Sequence, residues 1–174
     1  MKNLVRFVMT ATLLVFAAYA ADDVVSAVHG TVTKIDSASK TMVVKTKDGT
    51  EETVHYTDKT VVWGADKTAA GAKDTYKGIA TGSEVVVHYS AKGAEKSATE
   101  VDKVGKDGLK YVDGTVEKIS ADGKTVTVKA ADGTEHSFAV VGKGIGAGAA
   151  KGGKATVYYS EEGGKKVAHF FEKL

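Results

Sequence analysis

The chain has 174 residues, with 24 basic against 22 acidic side chains and neither cysteine nor proline. Arg6 is the only arginine, Asn3 the only asparagine, and glutamine is absent. Without cysteine there is no disulfide staple and no thiolate chemistry. Arg, Asn and Gln supply most bidentate contacts to guanine and adenine, so the composition predicts no nucleic-acid partner.

The first element in chain order is an export leader. Lys2 and Arg6 bracket a short positive start, Phe7 to Ala18 form an apolar run too short to span a bilayer comfortably, and Ala18-Tyr19-Ala20 fits a small-x-small cleavage site. Residues 1–20 are read as a signal peptide, with Ala21 as the mature start. Lys2 and Arg6 leave with it and no acidic residue does, so 22 basic face 22 acidic residues in the mature chain. The expected location is periplasmic or secreted, with no membrane contact after cleavage.

The remainder repeats itself. His29-Gly30-Thr31-Val32-Thr33-Lys34-Ile35 returns as Asp113-Gly114-Thr115-Val116-Glu117-Lys118-Ile119, an offset of 84 residues. The same offset relates Asp48-Gly49-Thr50-Glu51 to Asp132-Gly133-Thr134-Glu135. Further on, Val85-Val86-Val87-His88-Tyr89-Ser90 matches Ala155-Thr156-Val157-Tyr158-Tyr159-Ser160 at an offset of 70, so the second copy is 14 residues shorter. The difference falls in the connection between the third and fourth strands, where length changes are tolerated.

Each copy predicts five strands. In the first they are 26–35, 40–46, 52–56, 84–90 and 95–101; in the second, 111–119, 124–130, 136–141, 154–160 and 165–171. Val, Thr and Tyr alternate with polar residues at period two. Asp48-Gly49 and Asp132-Gly133 mark hairpins, because glycine accepts the positive φ that such turns need. Lys92-Gly93 and Gly163-Gly164 do the same later. Alternation points Met42, Val44, Val54, Tyr56, Val85, Val87 and Tyr89 inward in one copy, and Val126, Val128, Phe138, Val140, Val157 and Tyr159 in the other. The opposite face is largely Thr, Lys, Glu and His. The fold class is therefore all-β, two tandem five-stranded small barrels, with repeats over 24–104 and 109–174. Units of this size have small cores, so packing between them is expected.

The run Gly-Thr-Val-x-Lys-Ile, a Lys-Thr strand, Asp-Gly-Thr, a Gly-x-x-Val-x-Val strand and an Ala-containing last strand resembles a family of secreted bacterial small β-barrels of unknown function. That resemblance implies an OB-like barrel and an extracytoplasmic location. It supplies no catalytic residue.

Three features are candidate sites. The glycine-rich stretch from Gly142 to Lys154 loosely matches nucleotide-binding loops, but a strand follows where a helix is required, so it reads as a shortened connection. The Thr57–Ser83 connection carries Trp63, the only Trp, and Tyr76; these are the candidate ligand-binding residues, against the alternative that they cap and pack the barrel. Five histidines are scattered, none repeated in the other copy; strand parity puts His55 and His88 on the polar face as candidate ligands for zinc or copper. No nucleophile–base set is evident, no cofactor is implied, and no enzyme is expected. The reading is an exported non-enzymatic binding or interaction module whose partner is a protein, a polysaccharide or a small ligand. A structural subunit of an extracellular assembly, self-associating through strand edges, and a periplasmic metal-binding protein are the alternatives.

Overall fold

A computed structural model describes residues 24–65, 75–140 and 149–174. The expected signal peptide and most of the glycine-rich stretch lie outside the described residues. Thirteen strands and no helix are present among the described residues.

The first copy comprises β1 (Val24–Asp36), β2 (Thr41–Lys45), β3 (Glu51–His55), β4 (Val61–Trp63), β5 (Thr75–Tyr76), β6 (Ile79–Ala80), β7 (Glu84–Lys92) and β8 (Glu95–Lys103). The second comprises β9 (Lys110–Ile119), β10 (Thr125–Ala130), β11 (Glu135–Val140), β12 (Lys154–Glu162) and β13 (Lys165–Lys173). The second copy is a closed barrel in the order β10-β11-β13-β12-β9. The first runs β3-β2-β1-β7-β8-β4, and a β3–β8 pairing at His55 and Ser97 closes it. In each copy the third and fifth repeat strands run parallel and the other repeat-strand neighbours are antiparallel; β4 of the first copy also lies parallel to β8. The ten strands expected from alternation are all present. Those in the long connection (β4, β5 and β6) were not expected; they are two or three residues long, too short for a periodic signal.

Identical residues at identical repeat positions explain the shared path. Gly30 and Gly114 let the first strand of each copy cross the second closely: a Cβ would stand 2.4 Å from the Lys45 carbonyl oxygen at Gly30 and 2.5 Å from that of Lys129 at Gly114. Register shifts recur too, at His88/Tyr89 against β8 and at Tyr158/Tyr159 against β13. Such bulges bend a strand enough to close a small barrel. Asp48 and Asp132 cap their hairpins by accepting the Thr50 and Thr134 N–H at 3.0 and 2.8 Å.

Each barrel has its own core. Met42, Val44, Val54, Tyr56, Val85 and Val87 are buried together, with Tyr89 half-buried against them. Val126, Val128, Phe138, Val157 and Tyr159 form the second core, flanked by Val140. A third cluster joins Val86, Val104 and Leu109 to Tyr158 and Phe170, with Ala27 and Trp63 against it. It lies between the barrels, because Val86 and Tyr158 sit on the outward faces of β7 and β12. Those strands are buried on both faces, whereas β2 and β10 alternate. Among the described residues no helix is long and apolar enough to cross a membrane.

Candidate metal centre between the barrels

The outward faces that pack together carry polar residues as well as the apolar cluster. His88 on β7 lies opposite Glu100 on β8, and Asp102 follows two residues later on β8, hence on the same face. His169 enters from β13 of the other barrel. Its Nδ1 lies 2.9 Å from Asp102 Oδ2, and His88 Nε2 lies 3.5 Å from the same oxygen. One donor atom from each of the three residues lies within 4.8 Å of the other two. Asp102 is fully buried and His88 nearly so.

Burial has left this cluster incompletely satisfied. His88 Nε2 and Asp102 Oδ1 are buried and have no hydrogen-bond partner among the described residues. An orphaned buried polar atom costs about 1–3 kcal/mol, so two in one cluster need a physical reason. Charge points the same way. Burial raises the Glu100 carboxyl above its ordinary pKa, and the neighbouring Asp102 carboxylate raises it further. Burial also pushes Asp102 up, but the hydrogen bond with His169, the nearby His88 imidazole and the charge of both hold it below the usual carboxylate range. For His169, burial lowers the pKa, and the Asp102 hydrogen bond and charge outweigh it. Among the described residues neither carboxylate forms an ion pair with a lysine, so the cluster gathers negative charge and lacks a permanent cation.

The donor set fits a transition-metal ion. Ligand atoms around a tetrahedral zinc, with bonds of about 2.0–2.1 Å, stand about 3.3–3.4 Å apart, between the 2.9 and 3.5 Å that separate Asp102 Oδ2 from the two histidines. Two imidazoles and a carboxylate are its usual partners, and Glu100 interacts with the Asp102 carboxylate beside them. His169 also has the outer support that metal-bound histidines use: its Nε2 lies 3.0 Å from Ser160 Oγ, which donates to Glu162 Oε1 at 3.3 Å.

Ser160, His169 and Asp102 also form a Ser–His–Asp hydrogen-bond chain. Its nucleophile, however, is 1% exposed near the end of β12, with no approach for a substrate carbonyl. The chain orients His169 rather than activating Ser160.

The four residues singled out from sequence are dispersed. His55 is exposed, opposite Ser97, and takes no part in the cluster. His88 is in it, although the sequence reading put it on a solvated face; that polar face is the one the second barrel covers. Tyr76 is a core residue of the first barrel, its ring 3.9 Å from that of Tyr56 and its hydroxyl donating to the Thr57 carbonyl at 2.7 Å. Trp63 packs in the inter-barrel cluster instead, its ring 5.7 Å from that of His169. Tyr76 and Trp63 thus belong to different packing clusters. Asp102 and His169 were not found from sequence as a pair, since they lie 67 residues apart in different repeats.

A second polar centre occupies the equivalent positions of the other copy. Tyr158 and Glu172 replace His88 and Asp102 at the 70-residue offset, and Tyr158 donates to Glu172 Oε2 at 3.0 Å. His29 reaches them from the first barrel, 3.1 Å from the Tyr158 hydroxyl, and bonds Glu84 at 2.8 Å. Burial raises the Tyr158 hydroxyl well above its ordinary pKa, and Glu172 adds to this. A cleft of about 330 Å³ opens beside this centre.

No family model and no curated protein matches the chain. Among solved structures, a chain described as drosophila Unr CSD456 is similar over 88% of this chain and 62% of its own length, at 13% identity and a TM-score of 0.33. This chain therefore spans less than two thirds of that one. The exclusion of nucleic acid drawn from composition does not stand beside this match. The exclusion was too broad in physical terms as well. Missing Arg, Asn and Gln removes groove readout of base edges, but stacking of single-stranded bases on aromatic rings needs none of them.

Proposed function

We propose that this chain is an exported, non-enzymatic binding protein that holds a divalent transition-metal ion between its two barrels, with His88, Asp102 and His169 as ligands. The observation that carries this reading is the pair of orphaned buried atoms, His88 Nε2 and Asp102 Oδ1, in one three-residue cluster. A cation bound there would satisfy both and neutralise the Asp102–Glu100 confrontation. Two imidazoles with carboxylate favour zinc or copper(II) over calcium or magnesium, which prefer all-oxygen shells. The export reading rests on the leader at residues 1–20, and the non-enzymatic reading on the burial of Ser160 in the Ser160–His169–Asp102 chain.

Trp63 supplies the assay. Its ring lies 5.7 Å from that of His169, and it is the only tryptophan. Copper(II) added to chelator-stripped protein should quench its fluorescence to an endpoint of one equivalent, and elemental analysis after zinc reloading and desalting should find one zinc per chain. Either signal should disappear in His88→Ala with His169→Ala. Sub-stoichiometric zinc and copper, or undiminished binding in the double variant, would overturn the reading.

A further inference from the structure

We propose that the ion bound at His88, Asp102 and His169 is a removable fastener, whose occupancy sets whether the two barrels are closed on each other or parted. The proposal rests on the metal-binding reading above and adds to it a consequence for the whole tandem.

The ligands are divided between the barrels. His88 and Asp102 stand on β7 and β8 of the first, and His169 on β13 of the second. An ion that takes all three can bind only while the barrels are together, so its binding free energy becomes interface free energy. Without the ion, the closed arrangement carries its own penalty. His88 Nε2 and Asp102 Oδ1 are orphaned because the second barrel covers them, and parting the barrels would return both atoms to water. What opposes that release is one small cluster of five buried side chains, Val86, Val104, Leu109, Tyr158 and Phe170, with Ala27 and Trp63 against it, and the contacts of His29 with Tyr158 and Glu172. Each barrel keeps its own core, so neither needs the other's side chains to fill its interior.

The connection between the barrels has the backbone of a pivot. It runs from Lys103 to Lys110 and contains Gly105 and Asp107 at φ 79° and 67°, followed by Gly108. A side chain at 108 would meet the Lys103 carbonyl oxygen at 2.1 Å, so the tight closed path depends on glycine there. Lys106 is exposed within this segment.

The test compares the full chain in excess chelator with the same chain in zinc, by small-angle X-ray scattering and by trypsin cleavage at Lys103 and Lys106. Zinc stoichiometry is measured separately by calorimetry. At free zinc of about one hundred times the dissociation constant, the closed-to-parted ratio should rise about a hundredfold. The radius of gyration should fall and cleavage in the connection should slow by up to that factor, while His169→Ala shows neither response. If His169→Ala fails to fold, the chelator and zinc arms on the unmodified chain still decide. Stoichiometric zinc binding with unchanged scattering and cleavage would overturn the fastener and leave the metal site standing. Absence of zinc binding would remove both.

Discussion

Replacing His88 with leucine should stabilise the metal-free protein, the reverse of the usual result for a buried hydrogen-bonding histidine. His88 is 8% exposed, and its Nε2 has no hydrogen-bond partner. Its nearest carboxylate oxygen, Asp102 Oδ2, is 3.5 Å away, too far for a strong bond. Removing an orphaned polar atom recovers about 1–3 kcal/mol, and the lost His88–Asp102 attraction offsets part of that. A net gain of about 1 kcal/mol would raise the melting temperature by roughly 2–4 °C in a chain of this size. The assay is thermal unfolding in chelator and then in zinc. Wild type should gain about 2.7 kcal/mol at zinc one hundred times its dissociation constant, and His88→Leu should gain much less. A clear fall in the chelator melting temperature, with the zinc response intact, would show that His88 is a satisfied structural residue and not a ligand.

Other expectations follow from the barrels themselves. Gly114→Ala should cost about 1–3 kcal/mol by overpacking, because the new methyl meets the Lys129 carbonyl oxygen at 2.5 Å; Gly30→Ala should behave alike, and urea unfolding measures both. The turn carboxylates titrate below their ordinary value of 3.8: Asp48 through hydrogen bonds from the Thr46 hydroxyl and then the Thr50 N–H, and Asp132 through the Thr134 N–H. Since the folded pKa lies below the unfolded one, their stabilisation is complete above about pH 4 and is lost as pH falls through the folded value. Melting curves at descending pH should decline there, less steeply in Asp48→Asn with Asp132→Asn. Tyr158, raised by burial and then by Glu172, should stay protonated where exposed tyrosines ionise. Alkaline absorbance titration of Tyr158→Phe should therefore match wild type until unfolding.

The barrels were legible in the sequence because their signal is local. A strand with one buried face writes that face into alternate positions, so Met42, Val44 and Val54 declared the first core and Val126, Val128 and Phe138 the second. The two Asp-Gly turns fixed the hairpins between. The site was legible only in part, because it is made where two polar faces meet. His88 looks like a residue on a solvated strand face, and only the second barrel converts that face into an interior. The sequence did hold one usable sign. Val85-Val86-Val87 and Val157-Tyr158-Tyr159 are unbroken apolar runs in otherwise alternating chains, the pattern of strands buried on both sides.

The pattern of divergence between the copies supports a role for the junction that duplication alone does not require. Positions that build a barrel have stayed alike, down to the crossing glycines Gly30 and Gly114, the capped hairpins and the register shift in β7 and β12. Positions that meet across the interface have not: His88 faces Tyr158 in the alignment, Asp102 faces Glu172, His169 faces Thr99 and His29 faces Asp113. Two identical faces brought together would place like charges opposite one another, at a cost of the kind that Asp102 and Glu100 already incur within one strand. The carboxylate is kept on both sides, as Asp102 and Glu172, and each is met by a histidine of the other barrel, His169 and His29, but the two centres are satisfied unequally. The tyrosine centre is closed by its own hydrogen bonds to Glu172 and His29. The histidine centre is left two bonds short, and that difference is what the metal-binding proposal rests on.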